Sequence, residues 1–148
     1  YNPEVILSGR KINDRMGSYV AQEVTRLMSK KNISIAGSKI LVMGLTFKEN
    51  CPDIRNTRVV DLIKALEILK CIVDVYDPWV NKKDSFEEYG LNPIDRPDNG
   101  KYDAIILAVA HNEFKELSLK QIKSFARENN VIYDIKYLLK EGDSDGRL

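Results

Sequence analysis

Apolar residues near the start of the chain recur at helical spacing and then change period. In residues 10–28 they fall three or four positions apart, which predicts an amphipathic helix. Lys30 and Asn32 suit the end of that helix, because cations favour its negative pole and asparagine tolerates left-handed backbone. Residues 39–45 then form a nearly continuous apolar run, as expected of a strand covered on both faces.

Strand and helix patterns continue to alternate along the rest of the chain. The pattern predicts a helix over 59–69, a strand over 72–76, a short helix over 81–89 ended by Gly90 and a loop over 91–100. A strand over 104–109 follows, and then a helix that begins with a capping box at Ser118 and Gln121 and has Ile122, Phe125 and Ala126 on one face. The last predicted elements are a strand at 131–133 and a frayed tail over 141–148. This order builds a parallel sheet with helices on both faces. We therefore predict an α/β fold, a Rossmann-like open parallel sheet preceded by a long amphipathic helix.

Composition narrows the function classes. The 23 basic and 22 acidic side chains give a net charge of +1, which argues against nucleic acid as a partner. No apolar run approaches the roughly 20 residues that span a bilayer, so we expect no membrane partner. Cys51 and Cys71 form neither a CxxC pair nor a disulfide framework, and we expect reduced thiols and a cytoplasmic location. The opening residues carry no starting methionine, so we expect a longer parent protein.

The loop over residues 44–58 holds the candidate chemistry. It follows the first predicted strand, and ligands of open parallel sheets bind beyond the carboxyl ends of the strands. The loop carries Lys48, Arg55 and Arg58, which can bind phosphate, and the ring of Phe47, which could support a base or sugar. Free N–H groups at the start of the next helix would also favour an anion.

Glycine is scarce in this loop. Gly44 is the one glycine in the turn, so the G-x-G-x-x-G fingerprint of dinucleotide binding is missing and side chains would have to contact a pyrophosphate. Spacing alone leaves two alternatives open. Lys48 and Arg55 bind phosphate, or they are solvated, with Glu49 and Asp53 as surface partners that contribute little.

Three short motifs resemble those of a known family. Residues 44–48, 53–55 and 75–78 read GLTFK, DIR and VYDP, and they resemble the carboxy-terminal domain of the UDP-glucose/GDP-mannose dehydrogenase family. Residues 9–14 resemble the end of the family's central helical region. The resemblance implies three units: 1–36, the end of the central dimerisation region; 37–140, the nucleotide-sugar-binding domain; and 141–148, the tail.

The resemblance also implies an activity and site residues. Enzymes of this family use NAD twice to oxidise the C6 hydroxymethyl group of a nucleotide sugar to a carboxylate, through a cysteine nucleophile. Phe47 and Lys48 match positions that contact the nucleotide sugar, and Arg55 matches the arginine that reaches NAD. The amino-terminal domain would bind most of the NAD, and the catalytic cysteine would lie upstream. We therefore expect this chain alone to be inactive, to contain no catalytic residue and to belong to a homodimer.

The choice of sugar follows from departures from the broad family pattern. Residues 56–58 read NTR after the arginine, residues 50–52 read NCP, and Trp79 follows the VYDP motif. These choices resemble the subgroup that oxidises UDP-N-acetylhexosamines for capsule and O-antigen synthesis. Cys51 follows the family's lysine, whereas the catalytic cysteine precedes it, so we expect no catalytic role for Cys51.

Three further residues and the first helix allow two interpretations each. His111 follows a strand end and either contacts the nucleotide or forms a loop hydrogen bond, and one histidine makes a metal site improbable. Asp77 either reads a ribose hydroxyl or forms a turn. Trp79 either covers the sheet edge or, by default, packs in the core. The apolar stripe of the first helix either forms a dimer face or packs on other domains.

Two other functions compete with the dehydrogenase reading. One is a stand-alone nucleotide-binding or regulatory α/β module. The other is a receiver-like signalling domain, which shares the alternating architecture but needs an acidic Mg²⁺ pocket at its strand ends. The first predicted strand ends without an acid pair, so the receiver ranks last.

Overall fold

Strands with both faces buried organise the chain, which we describe over residues 15–148 in a computed structural model. The helices are α1 (Met16–Lys30), α2 (Val59–Ile68), α3 (Lys82–Tyr89), α4 (Asn112–Lys115) and α5 (Leu119–Ser124). The strands are β1 (Lys39–Met43), β2 (Ile72–Tyr76), β3 (Tyr102–Leu107), β4 (Ala126–Asp134) and β5 (Gly146–Arg147).

The strands form one parallel sheet in the order β2-β1-β3-β4-β5. The predicted Rossmann-like sheet with helices on both faces is therefore confirmed. Met43 pairs with both Tyr76 and Leu107, and Leu107 pairs with Asp134. Because these four residues are in register, the segments that follow β1, β2, β3 and β4 emerge at the same edge of the sheet.

Alternate side chains of the central strands β1 and β3 enter two separate hydrophobic cores. On β1, Ile40 and Val42 pack with α1 and α2 on one face. Leu41 and Met43 pack with Phe114 and other residues of the opposite face. Successive strand side chains point to opposite faces, so an unbroken apolar run fills both cores. This explains why the short apolar runs could be recognised from the sequence.

Helix α1 packs within the same core as the sheet. Val20, Val24 and Met28 are fully buried there, and a Cβ added at Gly17 would lie 2.6 Å from the backbone nitrogen of Leu62 in α2. The two helices therefore approach closely at a residue without a side chain. Part of the apolar stripe thus packs inside this unit, but Tyr19 is 51% exposed, and the two alternatives for the stripe, a dimer face or a surface for other domains, stay predictions. Residues 1–14, including the predicted start of the helix and the 9–14 motif, lie outside the described residues, and the predicted boundary at residue 36 stays a prediction.

The predicted tail is wrong in its second half. Gly146 and Arg147 pair with β4 as a fifth strand. Asp145 accepts a hydrogen bond from the backbone N–H of Ile132 at 2.8 Å and another from Lys31 at 2.7 Å. A contact between residues 114 positions apart in the chain thus holds the tail, and local sequence pattern could not reveal it.

Two element boundaries and one short helix also differ from expectation. Ala126 begins β4 instead of closing α5, although the capping box at Ser118 and Gln121 is confirmed. Strand β3 starts at Tyr102, earlier than the pattern indicates, and ends at Leu107. Helix α4 has four residues and was not predicted. One turn of helix carries too little periodicity to be detected.

Gly44 lies directly after β1, where any side chain would be strained. Its φ is +108°, and an added Cβ would lie 2.6 Å from Cβ of Val109 and 2.8 Å from the Val109 backbone nitrogen. The glycine thus brings the end of β1 against the segment that follows β3. Gly90, the left-handed residue after α3, also has a positive φ of +69°, but nothing lies within 4 Å of its added Cβ.

We predict that Gly44→Ala destabilises the fold by about 3 kcal/mol, because overpacking adds to backbone strain. Gly90→Ala is the matched control and should cost only the strain, about 1 kcal/mol. Urea unfolding at equilibrium measures both. Equal losses for the two variants would show that the contact with Val109 is unimportant.

Candidate functional site

A cavity of about 190 Å³ lies at the carboxyl edge of the sheet. It is lined by Phe47 after β1, Val109 after β3, Lys136 after β4 and Arg58 at the start of α2. In the order β2-β1-β3-β4, the connection after β1 runs to one side of the sheet and the connection after β3 runs to the other, and open sheets bind ligands at such a switch point. The position of the cavity is therefore the one that the fold favours for a ligand.

The walls of the cavity combine apolar and cationic side chains. Met16, Val20 and Leu62 contribute apolar surface, while Arg58 and Lys136 are exposed cations. Arg58 also lies 3.9 Å from Asp61 in the first turn of α2. Apolar surface with a few charged groups is typical of ligand sites, but pockets for drug-sized ligands have volumes of roughly 300–1,000 Å³. This cavity can enclose part of such a ligand.

The three predicted binding residues lie in one loop, but only Phe47 lines the cavity. The ring of Phe47 lines the cavity and is 57% exposed. Lys48 is exposed and does not line it. The side chain of Arg55 is 81% exposed, also lies outside the lining, and contacts Asp53 through two hydrogen bonds of 3.0 and 3.1 Å.

The pair between Arg55 and Asp53 matches one of the alternatives left open by the sequence. Hydrogen bonding to Arg55 holds the pKa of Asp53 below its ordinary value and raises the pKa of the guanidinium. Exposed pairs stabilise proteins little. Arg55 can therefore exchange Asp53 for another anion at small cost.

Asp77 joins the ends of three strands beneath this loop. Its side chain is fully buried, and one oxygen accepts hydrogen bonds from the backbone N–H groups of Leu45 at 2.6 Å and Thr46 at 3.1 Å. The same oxygen lies 2.9 Å from Nε2 of His111, and the other oxygen accepts from the N–H of Trp79 at 2.8 Å. The segments after β1, β2 and β3 thus meet at one carboxylate.

The hydrogen bonds of His111 define its tautomer. The backbone N–H of Asn50 donates to Nδ1 at 3.0 Å, so that nitrogen carries no proton. The proton then lies on Nε2, which donates to Asp77. Oγ1 of Thr46 is 3.2 Å from Nε2 and donates to the carbonyl of Lys48 at 2.9 Å. His111 is therefore a neutral structural group with both ring nitrogens occupied.

Opposing effects set the pKa of Asp77. Burial raises it, because a buried carboxylate loses its hydration. Hydrogen bonds from His111, Leu45 and Trp79 together outweigh burial and hold the pKa below its ordinary value. The network thus keeps a buried negative charge at neutral pH.

Residues 41–141 match the sequence profile described as the UDP-glucose/GDP-mannose dehydrogenase family, UDP binding domain. The chain belongs to this family. The resemblance seen in the short motifs is confirmed over more than half of the sequence.

Relatives extend the similarity to the whole chain. The chain is 51% identical over its full length to a UDP-N-acetyl-D-glucosamine 6-dehydrogenase of Pseudomonas aeruginosa and 47% identical to that of Salmonella typhi, covering 35% of each. A solved structure of a UDP-D-ManNAc dehydrogenase from Pyrococcus horikoshii superposes with a TM-score of 0.79 at 25% identity, over 99% of this chain and 34% of that one. The chain thus spans about a third of the length of these proteins.

In this family member, the structure decides between the two interpretations of several residues. His111 is fully buried and forms loop hydrogen bonds, so that alternative is confirmed. Asp77 forms a turn with Trp79, and its burial contradicts contact with a ribose. The Trp79 ring lies 6.0 Å from the His111 ring at the strand ends and belongs to neither core, so the expected core packing is wrong.

The two cysteines lie in different environments. Cys71 is buried, and burial raises the pKa of its thiol, which weakens it as a nucleophile. Cys51 is partly exposed and follows Asn50, whose backbone N–H bonds to Nδ1 of His111, while Nε2 of that ring bonds to Asp77. Within residues 15–148, no cluster of three metal-ligating side chains occurs, and no helix has the length and apolar character needed to cross a membrane.

The roles of two residues of the site were not predicted from the sequence. Lys136 lines the cavity because β4 is in register with β3, and the rule that ligands bind beyond strand ends could have identified it once β4 was placed. Asn50 bonds to His111 from a left-handed conformation, with φ of +56°. Asparagine tolerates that conformation, but its partner 61 residues away gives no local signal.

We predict that Asp77→Asn lowers the free energy of unfolding at neutral pH by roughly 2–3 kcal/mol, because an amide cannot accept at both ends. The folded-state pKa of Asp77 is depressed, so its contribution is present above the ordinary value of 3.8 and is lost as the pH falls below it. The difference in the free energy of unfolding between the native chain and the variant should therefore become smaller in acid, as measured by urea unfolding across a pH series.

Asp95→Asn is the control for this prediction. Asp95 also has a lowered pKa, through its hydrogen bond with Lys82, but it is exposed. Its replacement should alter the pH profile much less. If the difference in the free energy of unfolding between the native chain and Asp77→Asn stayed constant into strong acid, the role of the buried charge would be contradicted.

Proposed function

We propose that this chain is the nucleotide-sugar-binding part of an NAD-dependent UDP-N-acetylhexosamine 6-dehydrogenase. The observation that carries the proposal is the cavity at the switch point, where Phe47, Arg58 and Lys136 combine an aromatic ring with two cations. A uridine diphosphate presents a flat base and two charged phosphates, which match those groups. Similarity over all 148 residues of this chain to two UDP-N-acetyl-D-glucosamine 6-dehydrogenases supports the acetylated sugar.

Each group has a role that follows from its chemistry. The exposed ring of Phe47 offers a face for the base or sugar. Lys48 and Lys136 neutralise the diphosphate as point charges, and the planar guanidinium of Arg58 donates to it in a bidentate contact. The amino-terminal turn of α2 adds a favourable dipole beside Arg58.

The residues after β1 do not fit a principal NAD site. The N–H groups of Leu45 and Thr46, which would face a pyrophosphate in a glycine-rich turn, donate to Asp77. NAD supplies the oxidising equivalents by accepting hydride. In our proposal another part of the enzyme binds most of it, and Arg55 contributes from this chain. Its high exposure and its weak pair with Asp53 support that role.

The rest of the catalytic apparatus belongs, in this proposal, to other parts of a longer enzyme. The cavity encloses about 190 Å³, too little for a whole nucleotide sugar. Neither cysteine has the environment of an activated nucleophile. The complete enzyme, which we propose to be a homodimer, oxidises C6 of the sugar to a carboxylate with a cysteine supplied from elsewhere.

We predict that UDP raises the melting temperature of this chain more than NAD does. Saturation at about 100 times the dissociation constant supplies about 2.7 kcal/mol, and each kcal/mol raises the melting temperature by roughly 2–4 °C at this size. Parallel thermal unfolding with UDP, UDP-N-acetylglucosamine, NAD and buffer measures the effect. A larger rise with NAD would reverse the assignment.

We predict that Lys48→Ala weakens UDP binding by roughly 1.5–3 kcal/mol, because a charged hydrogen-bonding partner of the diphosphate is lost. Lys120→Ala, on the exposed face of α5, is the control and should leave affinity unchanged. Isothermal titration calorimetry measures both. If Lys136→Ala weakened binding and Lys48→Ala did not, the diphosphate would lie over the cavity and Lys48 would be a solvated surface residue.

A further inference from the structure

Asn50 fastens the cationic loop to the segment that follows β3. Its backbone N–H donates to Nδ1 of His111 at 3.0 Å. Its side-chain oxygen accepts from the backbone N–H of Asn112 at 2.9 Å. We call these two hydrogen bonds the Asn50 latch. One residue thus contacts two consecutive residues of another segment, once through its backbone and once through its side chain.

The ring of His111 cannot turn away from the latch. It is fully buried, its Nε2 donates to the buried carboxylate of Asp77, and it lies 5.4 Å from the ring of Phe114. Nδ1 is therefore fixed in the direction of Asn50. The buried carboxylate at the strand ends thus holds the His111 ring, and the ring in turn holds the backbone of the exposed loop at Asn50.

Thr46 and Ile54 are buried and anchor the two ends of the loop, whereas the stretch between them is joined to the segment after β3 through Asn50. The N–H of Phe47 donates to the carbonyl of Asp53 at 2.8 Å, and Thr46 donates to the carbonyl of Lys48 at 2.9 Å. These bonds close residues 46–53 on themselves. The side chains of Phe47 and Lys48 are exposed, so packing does not hold them in place.

We infer that Asn50 and His111 are positioning residues that hold Phe47 and Lys48 in the nucleotide-binding arrangement before the ligand arrives. This inference rests on the proposed function. A loop that is ordered in advance avoids the entropy cost of ordering its side chains on binding. Neither Asn50 nor His111 needs to touch the nucleotide.

Two variants release the latch from opposite sides. Asn50→Gly keeps the N–H and the left-handed backbone but removes the side-chain acceptor. His111→Gln keeps an N–H for Asp77 but lacks the ring nitrogen that accepts from Asn50. Each should weaken UDP binding roughly three- to tenfold, the affinity equivalent of ordering one or two side chains. Isothermal titration calorimetry is run at a temperature at which circular dichroism shows every protein folded.

The double variant distinguishes a latch from two unrelated defects. Because both substitutions release the same contact, their combined effect on the UDP dissociation constant should be smaller than the product of the single effects. Amide hydrogen exchange without ligand should be faster in residues 46–53 of each variant. Ser118→Ala is the control: it removes the capping box of α5 and lowers the melting temperature without changing UDP affinity or loop exchange.

Each outcome decides between separate conclusions. Unchanged UDP affinity in Asn50→Gly, or single effects that multiply fully in the double variant, would overturn the positioning role while leaving the proposed function intact. Failure of the unaltered chain to bind UDP would overturn the proposed function and this inference with it. If His111→Gln does not fold, Asn50→Gly decides alone, because the side chain of Asn50 is exposed.

Discussion

The buried carboxylate of Asp77 is the constraint on which the site depends. A carboxylate without water is costly unless donors surround it. Here the N–H groups of Leu45, Thr46 and Trp79 and the imidazole of His111 provide four hydrogen bonds. Each donor comes from a segment that leaves the sheet, so satisfying one charge fixes where those segments go. These segments cannot separate without exposing the charge. The cavity that they line therefore keeps its shape.

Parallel register provides the platform for this arrangement. Met43, Tyr76 and Leu107 end their strands side by side, so the next residues of all three strands lie within reach of a single side chain. Both faces of the sheet are covered, and a slip of one position would move every core residue to the wrong face. The packing of the two cores therefore sets the geometry of the polar edge.

How much could be predicted depended on the distance between interacting residues. The strand over 72–76 and the helix stop at Gly90 follow from local patterns, and the structure reproduces both. Asp53 and Arg55 are two positions apart, and their pair was foreseen as an alternative. The bond between Asp77 and His111 joins residues 34 positions apart, so the sequence could only leave the role of each open. Lys136 entered the site through strand order, which no local pattern contains.

The same geometry explains why cationic side chains stand where glycine-rich sheets use backbone. In a glycine-rich turn, free N–H groups after the first strand face a pyrophosphate. In this chain those N–H groups, of Leu45 and Thr46, already bind the anion supplied by Asp77. Gly44 serves the close approach to Val109 and leaves no bare backbone for a ligand. An external diphosphate at this edge must therefore be neutralised by the lysine and arginine side chains around it. A glycine-rich turn introduced after β1 would not create a dinucleotide site while Asp77 held the donors.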